Sequence, residues 1–201
     1  MSAPRDKAVR QYVVFHLKLM EVLHLMLLSF HLSDTESCPD NVLGHGVGRF
    51  KETLLGATVT AFISIVDGPK STNIREIWKE LYPWHATAID RIWTTKISAG
   101  ESVMKAYRDQ AGAHGDRPQK YFAAKQALLR DNAQVLAALG TFYRLSICLL
   151  KRQSKELPDL ASEIEEALFD IELAFPGGAF NRRWLREMYL IERGPYTKRF
   201  P

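Results

Sequence analysis

Three residues in the segment "YRDQAGAHGD", residues 107–116, carry side chains that could cleave RNA without a metal: Arg108, Asp109 and His114. A guanidinium is a permanent cation that can bind a phosphate through two hydrogen bonds. A histidine titrates near neutrality and can move protons. In RNA the ribose 2′-hydroxyl is itself the nucleophile, so an enzyme needs only to shift protons and stabilise charge on the phosphorane-like transition state. Asp109 could orient Arg108 or His114.

The spacing of these residues sets a geometric condition. Six residues along a helix amount to about 9 Å of rise and about 240° of rotation, so Arg108 and His114 do not meet on one continuous helix. Two arrangements could bring them together: a helix that ends near Gly112, where glycine permits the turn, or a two-fold dimer with two copies of the segment around one cleft. In the structural alternative, Arg108 pairs with a surface carboxylate and His114 caps a helix C-terminus, where a cation is favoured.

Hydrophobic periodicity predicts an all-α fold. We expect helices over about 9–32 and 47–66, a short helix within 71–83 that is capped among residues 71–73, and then one whose inward stripe is Ile89, Trp93, Ile97, Met104, Tyr107 and Ala111. A long helical region over 123–155 and an amphipathic helix after Pro158 follow, whereas 33–46 is predicted to be a loop. Short connections between long amphipathic helices predict a bundle, with residues 1–178 as one domain and 179–201 as a basic, aromatic tail.

Two of the predicted helices raise specific expectations. The helix over 9–32 contains no glycine or proline and is apolar nearly all round in its second half, so it is expected to be central and buried or covered by a partner subunit. The inward face of the second helix is predicted to comprise Phe50, Leu54, Ala61, Phe62 and Ile65.

Several other residues have side chains that could bind a metal or stack on a base. His16, His24 and His31 lie on one predicted helix without a carboxylate or thiol cluster beside them, which favours core or interface histidines over metal ligands. His85 lies near a helix start and has no recognisable partner in the sequence. Trp78, Trp84 and Trp93 could stack nucleobases, although core packing is the simpler interpretation. The two cysteines, Cys38 and Cys148, have no zinc-ligand spacing, so no metal and no cofactor is expected.

Charge and hydropathy limit the partners. The net charge is +4, so the chain as a whole is not a strongly basic nucleic-acid binder, but the basic tail could follow a phosphate backbone. Lys18 and Glu21 interrupt the apolar run of the first helix, which argues against a membrane span. With no signal peptide apparent, a cytoplasmic protein is expected.

The segment resembles the signature of the HEPN superfamily, helical-bundle domains with an R-x(4–6)-H motif and a polar residue directly after the arginine. Arg108 to His114 reads R-x5-H with Asp109 in that polar place, and "RDxxxAH" is similar to the branch associated with abortive infection. The resemblance implies a HEPN-like bundle of four core helices with extra N-terminal and C-terminal helices.

The resemblance also implies a metal-independent endoribonuclease that acts on RNA as a homodimer, as a toxin or phage-defence effector. Arg108 would bind the scissile phosphate, His114 would act as general acid or base, and Asp109 would orient them, with Tyr107, Arg117 and Lys120 as candidate substrate-binding residues. Some members of the superfamily lack nuclease activity. The alternative is therefore a non-catalytic dimerisation or partner-binding module, for example one half of a toxin–antitoxin pair.

Overall fold

The computed structural model describes residues 3–33, 42–69, 73–111 and 118–174, and these contain eight α-helices and no strand. The helices are α1 (Ala3–Ser33), α2 (Val42–Val66), α3 (Ile74–Leu81), α4 (Ala86–Ile92), α5 (Ser98–Ala111), α6 (Pro118–Arg130), α7 (Asn132–Glu156) and α8 (Ala161–Ala174). The all-α prediction is confirmed over this part of the chain. The tail 179–201 lies outside the described residues.

Several predicted boundaries were wrong, beginning with α1, which starts at Ala3 and not near residue 9. The predicted loop 33–46 extends too far, because α2 already begins at Val42 and includes Gly44 and Gly46. A glycine costs a helix only about 1 kcal/mol, which a well-packed helix of 25 residues can absorb. The predicted long helix over 123–155 is divided at Asp131 into α6 and α7, and α6 begins earlier than expected, at Pro118.

Helices α4 and α5 form one nearly continuous rod that ends at the candidate site. They are joined by a π-helical turn, Trp93–Ile97, whose flanking residues keep right-handed helical backbone angles. A π turn contains one residue more than an α turn. Ile92, the last residue of α4, and Trp93, the first residue of the π turn, are both buried. Ile97 and Met104 are also buried, which confirms the predicted inward stripe from Ile89 to Met104, whereas Tyr107 and Ala111 at its end are half-buried.

The core is built around Phe142, near the middle of α7. Its ring lies 4.9 Å from that of Phe62 on α2, 5.5 Å from that of Trp78 on α3 and 6.0 Å from that of Trp93 in the π turn. These contacts join four elements through one aromatic cluster. They confirm core packing for Trp78 and Trp93, and the buried residues around them form one continuous cluster from Ala8 to Ile164.

The connection between α2 and α3 is closed by Asn73. Its side-chain oxygen accepts a hydrogen bond from the Arg75 amide at 2.9 Å, and its side-chain nitrogen donates to the carbonyl of Val66 at the end of α2. This capping satisfies a donor that the first turn of α3 would otherwise leave unpaired. The Arg75 guanidinium then pairs with Asp90 on α4 at 2.7 Å, which ties α3 to the rod that follows.

Helix α1 has two opposite faces. Tyr12, Leu19, Leu23 and Met26 are buried against the bundle, whereas other apolar side chains on the helix are exposed, most of all Leu17 at 75%. The single chain therefore does not bury the whole helix, and the other expectation, a face covered by a partner subunit, stays a prediction. The inward face predicted for α2 needs one correction, since Phe50 is 57% exposed while Leu54, Phe62 and Ile65 are buried.

Among the residues that the structure describes, two stretches of helix are long and apolar enough to cross a membrane by length and composition alone: Asp6–Ser29 in α1 and Ala133–Glu156 in α7. The α7 stretch is 61% buried inside the bundle, as a core helix would be, and the α1 stretch is 39% buried. The core helix of a soluble protein passes the same test, so the cytoplasmic location stays a prediction.

Candidate functional site

The last turns of α5 hold Arg108 in a defined position. Its Nε donates to Asp109 Oδ1 at 2.9 Å, and one terminal nitrogen contacts the same carboxylate oxygen. That nitrogen also pairs with Asp67 Oδ2 at 2.7 Å, just beyond the end of α2. The Arg108 side chain is 29% exposed, so the guanidinium lies at the surface between two carboxylates.

Asp67 is the residue of this cluster that no local sequence signal reveals. It also accepts a hydrogen bond from Lys105 at 2.6 Å, one helical turn before Arg108. The hydrogen bond from Lys105, followed by that from Arg108, lowers the pKa of the Asp67 carboxyl below its usual value. The hydrogen bonds to Asp109 and then to Asp67 raise the pKa of Arg108. The sequence predicted Asp109 as a partner, but Asp67 belongs to a different helix and was missed.

Tyr107 faces α2 and α6. Its hydroxyl lies so close to Gly56 that a Cβ at that position would come within 2.8 Å, and its ring centroid is 6.2 Å from that of Tyr121. Burial, followed by the neighbouring Tyr121, raises the pKa of Tyr107. Lys120 is exposed at the start of α6. Tyr107 and Lys120 therefore lie on the two helices that flank residues 112–117.

Two predicted site residues, His114 and Arg117, lie outside the described residues. Arg108 and Asp109 are at the end of α5, and Lys120 is in the first turn of α6. The described structure therefore brings Arg108 and Asp109 into contact and leaves the distance from Arg108 to His114 as a prediction.

A groove of about 1070 Å³ runs between α1, α2 and the end of α5, with α6 as a further wall. Tyr107 and Tyr121 line it, as do three cations and two carboxylates: Lys18, Arg49, Lys125, Glu21 and Glu52. Lys125 pairs with Glu52 at 2.7 Å. Aromatic rings together with cations are a combination that can hold single-stranded nucleic acid, although the two carboxylates oppose a phosphate backbone.

The histidines separate into different environments. His16 is buried, accepts or donates a hydrogen bond with the Tyr12 hydroxyl at 3.3 Å, and lies 3.8 Å from Glu163. Burial lowers the pKa of His16. His24 is exposed, and the side chain of His31 lies outside the described part of the chain. In the residues the structure describes, no group of three or more His, Cys, Asp or Glu side chains could hold a metal ion.

His85 has a partner that the sequence did not reveal. Its Nε2 lies 2.9 Å from a terminal nitrogen of Arg152 on α7, whose guanidinium also packs over the rings of Tyr82 and Trp84. Burial, followed by the charge of Arg152, lowers the pKa of His85 to about 4. Because a guanidinium can only donate, His85 accepts this bond as the neutral imidazole.

Comparison with protein-family models, curated proteins and solved structures gave no match to this chain.

Proposed function

We propose that this protein is a metal-independent endoribonuclease with a HEPN-like bundle, which acts as a homodimer in toxicity or phage defence. Arg108 binds the scissile phosphate, His114 transfers protons to or from the ribose 2′-hydroxyl and the leaving oxygen, and Asp109 orients the arginine. Tyr107, Arg117 and Lys120 contact the RNA.

One observation carries the proposal: the Asp109 carboxylate holds Arg108 at the C-terminal end of α5, immediately before the segment that contains His114. A guanidinium fixed through its Nε edge loses little side-chain freedom when it binds phosphate. The contact between Asp109 and Arg108 supports an orienting role for the polar residue directly after the arginine.

The ion pair with Asp67 supports a second candidate function. Asp67 pairs with both Arg108 and Lys105, so part of the charge that a phosphate would need is already balanced. In a non-catalytic partner-binding module these residues would serve only to join α5 to the end of α2. In the ribonuclease, an anionic substrate competes with Asp67 for Arg108. In the partner-binding module, no substrate competes and Asp67 keeps its contact with Arg108.

The test is RNA cleavage in the presence of EDTA by the wild type, Arg108→Ala and His114→Ala, each checked for an unchanged helical circular dichroism spectrum and melting temperature. We expect the two variants to lose cleavage by about 10²-fold or more, which is typical of removing an acid–base group or a charge-stabilising donor. Lys96→Ala is the matched control, because Lys96 is exposed on the π turn, away from the end of α5.

A DNA oligonucleotide of the same sequence should not be cleaved, since it lacks the 2′-hydroxyl, and the RNA products should end in 2′,3′-cyclic phosphate. Equal cleavage by the wild type and His114→Ala, or none by the wild type, would overturn the catalytic proposal and favour the partner-binding module. Growth arrest by the expressed wild type but not by His114→Ala would support the role as a toxin or defence effector.

A further inference from the structure

Helix α1 presents a stripe of exposed residues on the side opposite the core. Positions 10, 14, 17, 21, 24 and 28 alternate in steps of four and three, the spacing of the a and d positions of a coiled coil. We call these residues the outward stripe: Arg10, Val14, Leu17, Glu21, His24 and Leu28. All six are exposed, and Val14, Leu17 and Leu28 are exposed by 71%, 75% and 52%.

The outward stripe does not result from the packing of the bundle. At 100° per residue its centre lies about 180° from the centre of the buried face that contains Tyr12, Leu19 and Met26. Isolated exposed apolar residues are ordinary, but a periodic stripe of them along one helix is the pattern of a contact surface.

We propose that the outward stripe binds the same stripe of a second copy in an antiparallel, two-fold pair. In an antiparallel coiled coil each a position meets a d position of the partner, and the two residue numbers add up to a constant. With a sum of 31, Val14 of each copy meets Leu17 of the other at the centre of the pair. Arg10 then meets Glu21, and two-fold symmetry gives that ion pair twice.

Charge complementarity selects this occupant and this direction. Arg10 and Glu21 are exposed, and neither forms an ion pair with another residue of the described chain. A parallel pair would place Arg10 against Arg10 and Glu21 against Glu21, which is unfavourable. In a membrane surface the charged Glu21 would lie in the middle of the apolar face, where burial is costly.

The antiparallel register is also distinguished from its neighbours. Moving the partner by one heptad sets Leu17 against Glu21 and Arg10 against Leu28, which leaves the charges without partners. Moving it by two heptads sets Leu17 against Leu28 and Glu21 against His24, an ion pair that exists only when the histidine is protonated. Only the register in which paired residue numbers add up to 31 places two permanent, opposite charges against each other and buries the two most exposed apolar residues together.

This inference does not rest on ribonuclease activity, because it is measured by association in the absence of RNA. Glu21 of the outward stripe also lines the groove between α1, α2 and Tyr107. A partner bound to the outward stripe would therefore border that groove.

Sedimentation velocity of the full chain tests the surface. We expect the wild type to be a dimer and Leu17→Asp to be a monomer with an unchanged melting temperature. Leu129→Asp is the matched control: Leu129 is an exposed leucine on α6, 41% exposed, and this variant should remain dimeric. A monomeric wild type, or loss of the dimer in Leu129→Asp but not in Leu17→Asp, would overturn the proposal.

Charge reversal tests the direction and the register. Arg10→Glu and Glu21→Arg should each raise the dimer dissociation constant by about tenfold or more, since each creates two like-charged contacts. The double variant should return it to near the wild-type value, because the pairs are restored with opposite polarity. Absence of this rescue would contradict the antiparallel pairing.

Cysteine cross-linking gives a second, independent measurement. An equimolar mixture of Val14→Cys and Leu17→Cys proteins should form a disulfide-linked dimer faster than either variant alone, which also controls for Cys38 and Cys148. A Leu17→Cys and Leu28→Cys mixture that links faster would refute the register. Wild-type protein that is monomeric and floats with vesicles of phosphatidylcholine and phosphatidylglycerol would show that the stripe binds lipid instead.

Discussion

At the scale of single residues, the chemistry depends on what competes for Arg108. Asp109 and Asp67 approach the same terminal nitrogen from two sides, one from the next residue and the other from the end of α2. Asp109 moves with the arginine, whereas Asp67 belongs to another helix and, in the proposed ribonuclease, would have to be displaced or shared for a phosphate to bind. The two carboxylates are therefore expected to have opposite effects on RNA cleavage.

Asp67→Asn should strengthen RNA binding severalfold, measured as a lower KM or Kd, because it removes a negative charge that competes with phosphate. Asp109→Asn should instead reduce kcat, because Arg108 loses its orienting partner. If both variants reduce cleavage equally, Asp67 is a supporting residue and not a competitor.

The same Asp67→Asn variant should lower the free energy of unfolding at neutral pH by about 0.5–1 kcal/mol, the range of partly exposed ion pairs. Since Lys105 and Arg108 lower the pKa of folded Asp67, its stabilising contribution is present above the unfolded pKa of about 4. It is lost as the pH falls through the folded pKa. Denaturant titrations of wild type and variant should therefore converge in acid.

His85 makes stability depend on pH in a different window. Its folded pKa of about 4 lies below the ordinary 6.5, so the unfolded chain takes up a proton first as the pH falls. The free energy of unfolding should decrease by up to about 3 kcal/mol between about pH 6.5 and about pH 4. His85→Gln should remove most of this pH dependence of the free energy of unfolding, and His16 should contribute the remainder. His24→Gln, at an exposed position, should leave the pH dependence unchanged.

At the scale of helices, the rod formed by α4 and α5 is set by a close approach to α7. A Cβ at Gly100 would lie 2.6 Å from the Ala138 Cβ and 2.6 Å from the carbonyl oxygen of Gln134. Because one of these atoms belongs to the main chain, the steric clash could be relieved only if the two helices moved apart. The absence of a side chain at Gly100 therefore determines how closely the helix that carries Arg108 packs on the central helix.

Gly100→Ala should destabilise the protein by about 1–3 kcal/mol, since overpacking outweighs the gain in helix propensity of about 1 kcal/mol. Gly140→Ala on α7 is the matched control, because a Cβ there has no atom within 4 Å and should stabilise the helix by about 0.5–1 kcal/mol. Urea unfolding measures both. Equal effects of the two substitutions would contradict the close helix contact.

At the scale of the whole molecule, one aromatic side chain holds four elements together. Phe142 meets Phe62, Trp78 and Trp93, so its loss would leave a cavity shared by α2, α3, α7 and the π turn. The total stability of a domain is about 5–15 kcal/mol, and a single large cavity removes a substantial fraction of it. The placement of Arg108 depends on this cluster, because Trp93 lies in the rod that α5 completes.

Phe142→Ala should lower the free energy of unfolding by about 3–5 kcal/mol. Phe169→Ala, at a phenylalanine that is 61% exposed on α8, should change it by less than about 0.5 kcal/mol. Thermal unfolding followed by circular dichroism provides the comparison. A similar loss in both variants would mean that Phe142 is not the centre of the core.

The sequence by itself determined the helical class, several helix ends and most residues of the inward stripes, because these follow from local periodicity and from stop signals such as Pro158. It also indicated Asp109 as the partner of Arg108, since the two are adjacent. Only the tertiary structure decided what comes from elsewhere in the chain: Asp67 beside Arg108, Arg152 beside His85 and the exposed side of α1. Contacts between distant residues depend on how helices pack, and the spacing of residues along one helix indicates which face is buried but not which residues of another helix meet it.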